Sequence, residues 1–127
     1  MFKSTKKERK NSFITNFFGS KEFLYFYILH LLNTKSMYGE EISKTISSLI
    51  NGYWYPNPGF IYPMLKKLGY FGYIKGQWVA GESKHPRLVY EITEEGRLHY
   101  TSLKEDWFDG LKEFILILKA LNKEEGE

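Results

Sequence analysis

The spacing of apolar and polar residues divides this chain into three helices, a hairpin and one long terminal helix. Residues 20–32 carry Phe23, Leu24, Phe26, Tyr27, Ile28, Leu31 and Leu32, so a helix there is apolar almost all round. Such a helix belongs in the middle of a core or an interface. Ser20 offers a cap, and Glu22 lies near the positive end of the dipole. After a polar break at 33–37, residues 38–50 set Ile42, Ile46, Leu49 and Ile50 on one stripe, with Glu40 and Glu41 at the start and Lys44 following. A loop rich in Asn, Gly, Pro and aromatic residues fills 51–57.

The run P-N-P-G-F-I-Y-P-M-L-K-K-L, residues 56–68, predicts the third helix. Asn57 is a good N-cap, and Pro58 falls at the first helical position, where a missing N–H costs nothing. Ile61, Met64, Leu65 and Leu68 form its buried face, and Phe60, Tyr62, Lys66 and Lys67 its outer face. Pro63 is tolerated because the N–H groups of a first helical turn have no partner within the helix. A short rigid helix with a polar, aromatic and basic face suits the major groove of DNA.

The period then changes. Residues 73–80 and 87–92 read as strands around a turn-rich tip, G-E-S-K-H-P-R, and make a hairpin. Thr93 caps a long helix, with Glu94 and Glu95 in its first turn; Gly96 weakens that start slightly. Further along, Leu103, Trp107, Leu111, Phe114, Leu118 and Leu121 recur at spacings of four and three, close to a heptad seam. The organisation expected is a basic N-terminal extension over 1–19, a head over 20–92, a dimerisation helix over 93–122 and an acidic tail over 123–127. Within the extension, the apolar patch at 13–19 is expected to pack on the domain or on a partner subunit.

Charge sharpens this picture. Residues 1–87 hold 13 Lys or Arg against 5 Asp or Glu, and residues 88–127 hold 5 against 10. A basic front and an acidic back suit a molecule that meets a polyanion with one side. The chain has no cysteine, which excludes disulfides and cysteine-based zinc sites and fits a reducing, cytoplasmic setting. His30, His85 and His99 are scattered without ligand spacing, so no metal and no cofactor is expected, and His30 reads as a core or interface residue. The longest apolar run, residues 23–32, is about half of what a membrane span needs. No nucleophile, base and orienting group stand together, so an enzyme is not expected.

Helix, helix, helix, hairpin is the order of a winged helix-turn-helix: a mainly α fold with a two-stranded wing. The runs Y-G-E-E-I, P-N-P-G-F-I-Y-P-M-L-K-K-L and P-R-L-V-Y-E-I-T-E-E-G together resemble the PadR family of transcriptional regulators, over about residues 23–121. The chain departs from the usual family pattern at Phe60, at Gly69 and Tyr70 after the third helix, and at Leu88 and Val89 in the wing. The resemblance implies a homodimer joined through the C-terminal helix, often against the first helix of the partner. The sequence points the same way, because a helix of about 30 residues with an apolar seam overhangs a small domain.

The expected DNA contacts are Tyr38 at the start of the second helix, Asn57, Phe60, Tyr62, Lys66 and Lys67 on the third, and Lys84, His85 and Arg87 in the wing. The expected dimer contacts are Phe23, Tyr27, Leu103, Trp107, Leu111, Phe114, Leu118 and Leu121. Trp107 either fills the dimer core or, paired with its symmetry mate, sandwiches a planar aromatic effector. The function expected is a homodimeric repressor that binds double-stranded operator DNA and is relieved by such an effector. Two rivals use the same fold: an aromatic-ligand binding protein with little DNA affinity, and a protein-interaction module. The salt dependence of duplex binding separates the first reading from both rivals.

Overall fold

A computed structural model describes residues 20–49, 58–80 and 86–125. The helical head is built from α1 (Ser20–Thr34), α2 (Gly39–Leu49) and α3 (Ile61–Tyr70). Leu24, Ile28, Leu29 and Leu32 of α1 are fully buried with Ile42 and Ile46 of α2 and Leu65 and Leu68 of α3. Each such side chain contributes about 1.5–3 kcal/mol on leaving water. The nearly all-apolar α1 is thus the central helix. On α3 the predicted face, Ile61, Met64, Leu65 and Leu68, is the buried one.

A three-stranded antiparallel sheet flanks the head, in the order β1 (Met37–Tyr38), β3 (Arg87–Ile92), β2 (Ile74–Val79). The hairpin pairs Ile74 with Ile92 at its base and Val79 with Arg87 towards its tip. The two-stranded wing expected from the sequence is the β2–β3 hairpin. The sequence pattern places Met37 in a polar break and Tyr38 at the start of the second helix. Instead Met37 is buried and pairs with Tyr90, and Tyr38 pairs with Val89. Two residues are too few to show an alternating pattern, and only the partner strand reveals them. α2 therefore starts at Gly39, with the Glu41 carboxylate accepting a 2.8 Å hydrogen bond from the Tyr38 N–H.

α3 begins later than predicted. Pro58–Phe60 form a 3-10 turn, and Phe60 occupies the N-cap position with no side-chain cap. Asn57, the expected cap, lies outside the described residues. Pro63 is third in the helix, where its missing N–H has no intrahelical acceptor to lose. The helix ends in a paired cap: the Gly72 N–H donates to the Gly69 carbonyl and the Tyr73 N–H to the Leu68 carbonyl, both at 3.0 Å. Gly72, at φ 82°, supplies the left-handed residue this cap requires.

The last element, α4 (Glu94–Glu124), is one helix of 31 residues, about 46 Å long. The Thr93 hydroxyl accepts from the Gly96 N–H at 3.0 Å and donates to the Gly72 carbonyl at 2.7 Å, so one side chain caps α4 and ties it to the end of α3. Gly96 has a packing reason for its place. A Cβ there would stand 2.0 Å from the Tyr73 carbonyl oxygen.

The first half of α4 lies antiparallel along α1. The Arg97 guanidinium donates to the Asn33 carbonyl at 3.1 Å, Tyr100 stacks on Phe26 at 5.6 Å, and Trp107 meets Phe23 edge-on at 5.4 Å. Leu103 and Trp107 are half-buried against the core of their own chain. Beyond Trp107 the rod leaves the head, and Phe108, Leu111, Ile115, Leu116, Ile117, Leu118 and Leu121 are exposed.

Candidate nucleic-acid interface

Four elements, β1, α2, β2 and β3, converge beside α3. Tyr62 is second on that helix and 55% exposed. Its ring lies over Gly39, where a Cβ would come within 2.9 Å of the Tyr62 ring and 3.1 Å of its hydroxyl. The glycine of the Y-G-E-E-I run therefore seats the tyrosine. Across from it, the Arg87 guanidinium lies 4.0 Å from the centre of the Tyr38 ring and forms an ion pair with Glu40. Trp78, 69% exposed on β2, stands opposite Leu88 of β3. Together Tyr38, Glu40, Tyr62, Trp78, Arg87, Leu88 and Tyr90 line a cleft of about 630 Å³. Burial, with Tyr62 nearby, raises the Tyr90 hydroxyl above its ordinary pKa.

This cleft gathers Tyr38, Tyr62 and Arg87 from the expected set. Lys66 follows Tyr62 by four residues and shares its side of α3, exposed. Two members stand elsewhere. Lys67 is about 140° round the helix from Tyr62, with its ammonium 5.8 Å from the Tyr25 ring of α1. Phe60, expected to face outward, is half-buried against the core with the Lys21 ammonium 4.7 Å above its ring. Both turn towards α1: they are seven residues apart, which puts them on one side of the helix. Lys84 and His85, like Asn57, lie outside the described residues.

Sequence reasoning missed Glu40, Trp78 and Tyr90 as parts of this surface. Glu40 carries an ordinary helix-start signal, and its partner Arg87 is 47 residues away. Trp78 and Tyr90 show only strand periodicity. Gly39, beside a tyrosine and before two acids, was the one local hint of a close approach.

A second cleft, about 440 Å³, lies between α1 and α4 and is lined by Phe23, Phe26, Tyr27, His30, Tyr100, Lys104, Trp107, Phe108 and Leu111. His30 is exposed at its rim, with Nδ1 sharing a 2.7 Å hydrogen bond with the Tyr100 hydroxyl. Burial raises the Tyr100 pKa. Trp107 contacts Phe23 and Phe26 of its own chain, and Tyr27 is buried there. Phe23, Tyr27, Leu103 and Trp107, all expected at a dimer interface, thus contribute to the packing of the single chain.

Near the base of the wing, His99 stacks on Tyr73 at 4.1 Å and its Nε2 shares a 3.1 Å hydrogen bond with the Tyr25 hydroxyl. Burial there lowers the pKa of His99 below its usual value and raises that of Tyr25. Among the described residues, no three His, Cys, Asp or Glu side chains cluster to hold a metal ion. Among the same residues, no helix is long and apolar enough to cross a membrane.

Three head helices, a sheet-borne wing and a helix exposed beside it define a winged helix-turn-helix protein. The chain belongs to the transcriptional regulator PadR-like family, whose model matches residues 28–102. It is similar to a PadR family transcription regulator from Clostridium difficile, at 25% identity and TM-score 0.67, covering 76% of this chain and 98% of that one. A transcriptional regulator from Clostridium thermocellum aligns at 29% identity and TM-score 0.67, covering 74% of this chain and 88% of that one. The Bacillus subtilis PadR in complex with operator DNA aligns at 27% identity and TM-score 0.58, over 68% of this chain and 46% of that longer one. Comparison with curated proteins gives no match.

Proposed function

We propose that this chain is a homodimeric, sequence-specific binder of double-stranded DNA that represses transcription by occupying an operator. The observation that carries the reading is the convergence of Tyr62 of α3 with Tyr38 and Arg87 at one exposed cleft, with Lys66 on the same side of the helix. Arginine and lysine meet phosphates, tyrosine hydroxyls donate to them, and residues at the start of a recognition helix meet base edges. The operator complex of the similar Bacillus subtilis protein supports the same use of the fold.

The rod supports pairing. A row of exposed leucines and isoleucines, with half-buried Phe114, needs a covering surface, and a second copy offers the same seam. Leu111, Phe114, Leu118 and Leu121 sit at alternating three- and four-residue spacings that two helices bury together. Two heads then present two α3 helices, at a separation of about 34 Å for successive half-sites.

The 440 Å³ aromatic cleft beside Trp107 favours regulation by a planar aromatic compound. Since α4 joins both heads, a ligand that prefers one packing of α1 on α4 shifts the population of head spacings.

Titrating labelled duplex DNA at several salt concentrations tests the central part. Binding that weakens steeply with salt is expected. Equal and weak association at all salt concentrations would favour an aromatic-ligand protein or a protein-interaction module instead.

A further inference from the structure

Glu40 is out of place on a surface that meets a polyanion. Its side chain is 62% exposed and that of Arg87 40%, so solvent screens their ion pair. An exposed pair of this kind contributes little to folding. The head does not need it for stability: the adjacent Tyr38 and Val89 backbones are already paired between β1 and β3. What the pair changes is the availability of Arg87. The guanidinium is held by the carboxylate and covered on one face by the Tyr38 ring at 4.0 Å, inside the cleft between α3 and the wing. A phosphate that engages Arg87 must displace Glu40 or bind beside its negative charge.

Resting on the DNA-binding reading above, we propose that Glu40 is a positioning residue that acts through Arg87. Its carboxylate occupies the guanidinium until a correctly placed phosphate replaces it. Arg87 then adds little to binding of arbitrary duplex, where phosphates approach in many registers. At the operator, base contacts from α3 fix the register and bring one phosphate to the guanidinium fork, which favours two parallel hydrogen bonds. Glu40 thereby widens the gap between specific and non-specific affinity.

The test uses the full chain as wild type, Glu40→Gln, Arg87→Gln and the double variant. Each is titrated with a duplex selected from a random pool and with a scrambled duplex of equal length, between 50 and 200 mM salt, roughly the range over which phosphate contacts are most visible. Thermal melts check that the variants fold. Glu40→Gln is expected to tighten scrambled-duplex binding about fivefold, to steepen its salt slope by about one unit, and to improve selected-duplex binding less. In the Arg87→Gln background the same change should alter affinity less than about twofold, as expected when one residue acts through the other. Glu40→Ala is expected to act in the same direction as Glu40→Gln.

An equal gain in the Arg87→Gln background would mean that Glu40 simply repels DNA, and the proposal fails. It fails as well if Glu40→Gln leaves scrambled-duplex binding unchanged or weakens it while the wild type binds with normal salt dependence. If the wild type binds neither duplex at the lowest salt, the DNA-binding reading itself falls.

Discussion

The head and the outer half of α4 are both rich in large apolar side chains, but only the head buries them within the chain. The apolar positions of the central helix are covered by the chain: Ile28 of α1 is fully buried, whereas Leu118 of α4 is 49% exposed. The boundary falls at Trp107, which rests on Phe23 and Phe26; one residue later, Phe108 is 54% exposed. The same helix thus serves two purposes. Its first half completes one domain, and its second half is a bare apolar surface, which the proposed pairing would cover. Apolar content alone does not distinguish these roles; what decides is whether α1 runs alongside.

The sharpest way to break this contrast is to make the rod polar. Leu111→Ser with Leu118→Ser removes four leucines from a pair of rods, at a cost of roughly 6 kcal/mol of association, taking about 1.5 kcal/mol for each. Light scattering at micromolar concentration should report a single chain, with the melting of the head little changed. Loss of head folding would show that the rod is not a separate surface.

Two glycines of α4 give the next largest effect, with opposite signs in the two regions. Gly96→Ala forces a Cβ to within 2.0 Å of the Tyr73 carbonyl and 2.7 Å of Ile92, and should cost about 3 kcal/mol in denaturant unfolding. Gly110→Ala meets nothing within 4 Å and should stabilise by about 0.5–1 kcal/mol through helix propensity. Equal effects at the two positions would contradict the contrast.

Within the head, Lys66 and Lys67 separate the cleft side of α3 from the side facing α1. Lys66→Ala should flatten the salt dependence of duplex binding by about one unit, and Lys67→Ala by less. The reverse order would put the DNA on the other side of the helix.

The smallest effect is a pH dependence confined to the head. Burial holds the His99 pKa below its usual value, so the folded chain favours the neutral ring. The unfolded chain takes up a proton near pH 6.5, the ordinary value. The stability from His99 is therefore complete above about pH 6.5 and is lost as pH falls through the lower folded value. Between pH 7.5 and pH 5.5, roughly the window about that value, the wild type should lose more melting temperature than His99→Gln. Association of the rods should not follow the same trend.

Much of this was legible in the residues themselves. The 3.6-residue period identified α1, α2, α3 and the whole of α4, and the buried face of α3 was read residue by residue. The alternation around a turn-rich tip identified the hairpin. What escaped was set by distant partners. Met37 and Tyr38 become a strand only because β3 passes beside them. Glu40 meets Arg87 across 47 positions, and Trp107 finds Phe23 and Phe26 on its own α1. Phe60 was expected on the outer face, yet it lies four residues before buried Met64, at the edge of the buried face, and packs against the core. Helical and strand periods describe one element at a time, so pairings between elements leave little trace in them.

The central claim is a pair of heads reading one duplex. Selecting bound sequences from a random duplex pool tests it most directly, since site symmetry and spacing come from one measurement. The account predicts two inverted half-sites with centres about one helical turn apart, roughly 10 base pairs, or a whole multiple of that. Recovery of unselected sequence, or of a lone half-site bound by a single chain, would contradict it.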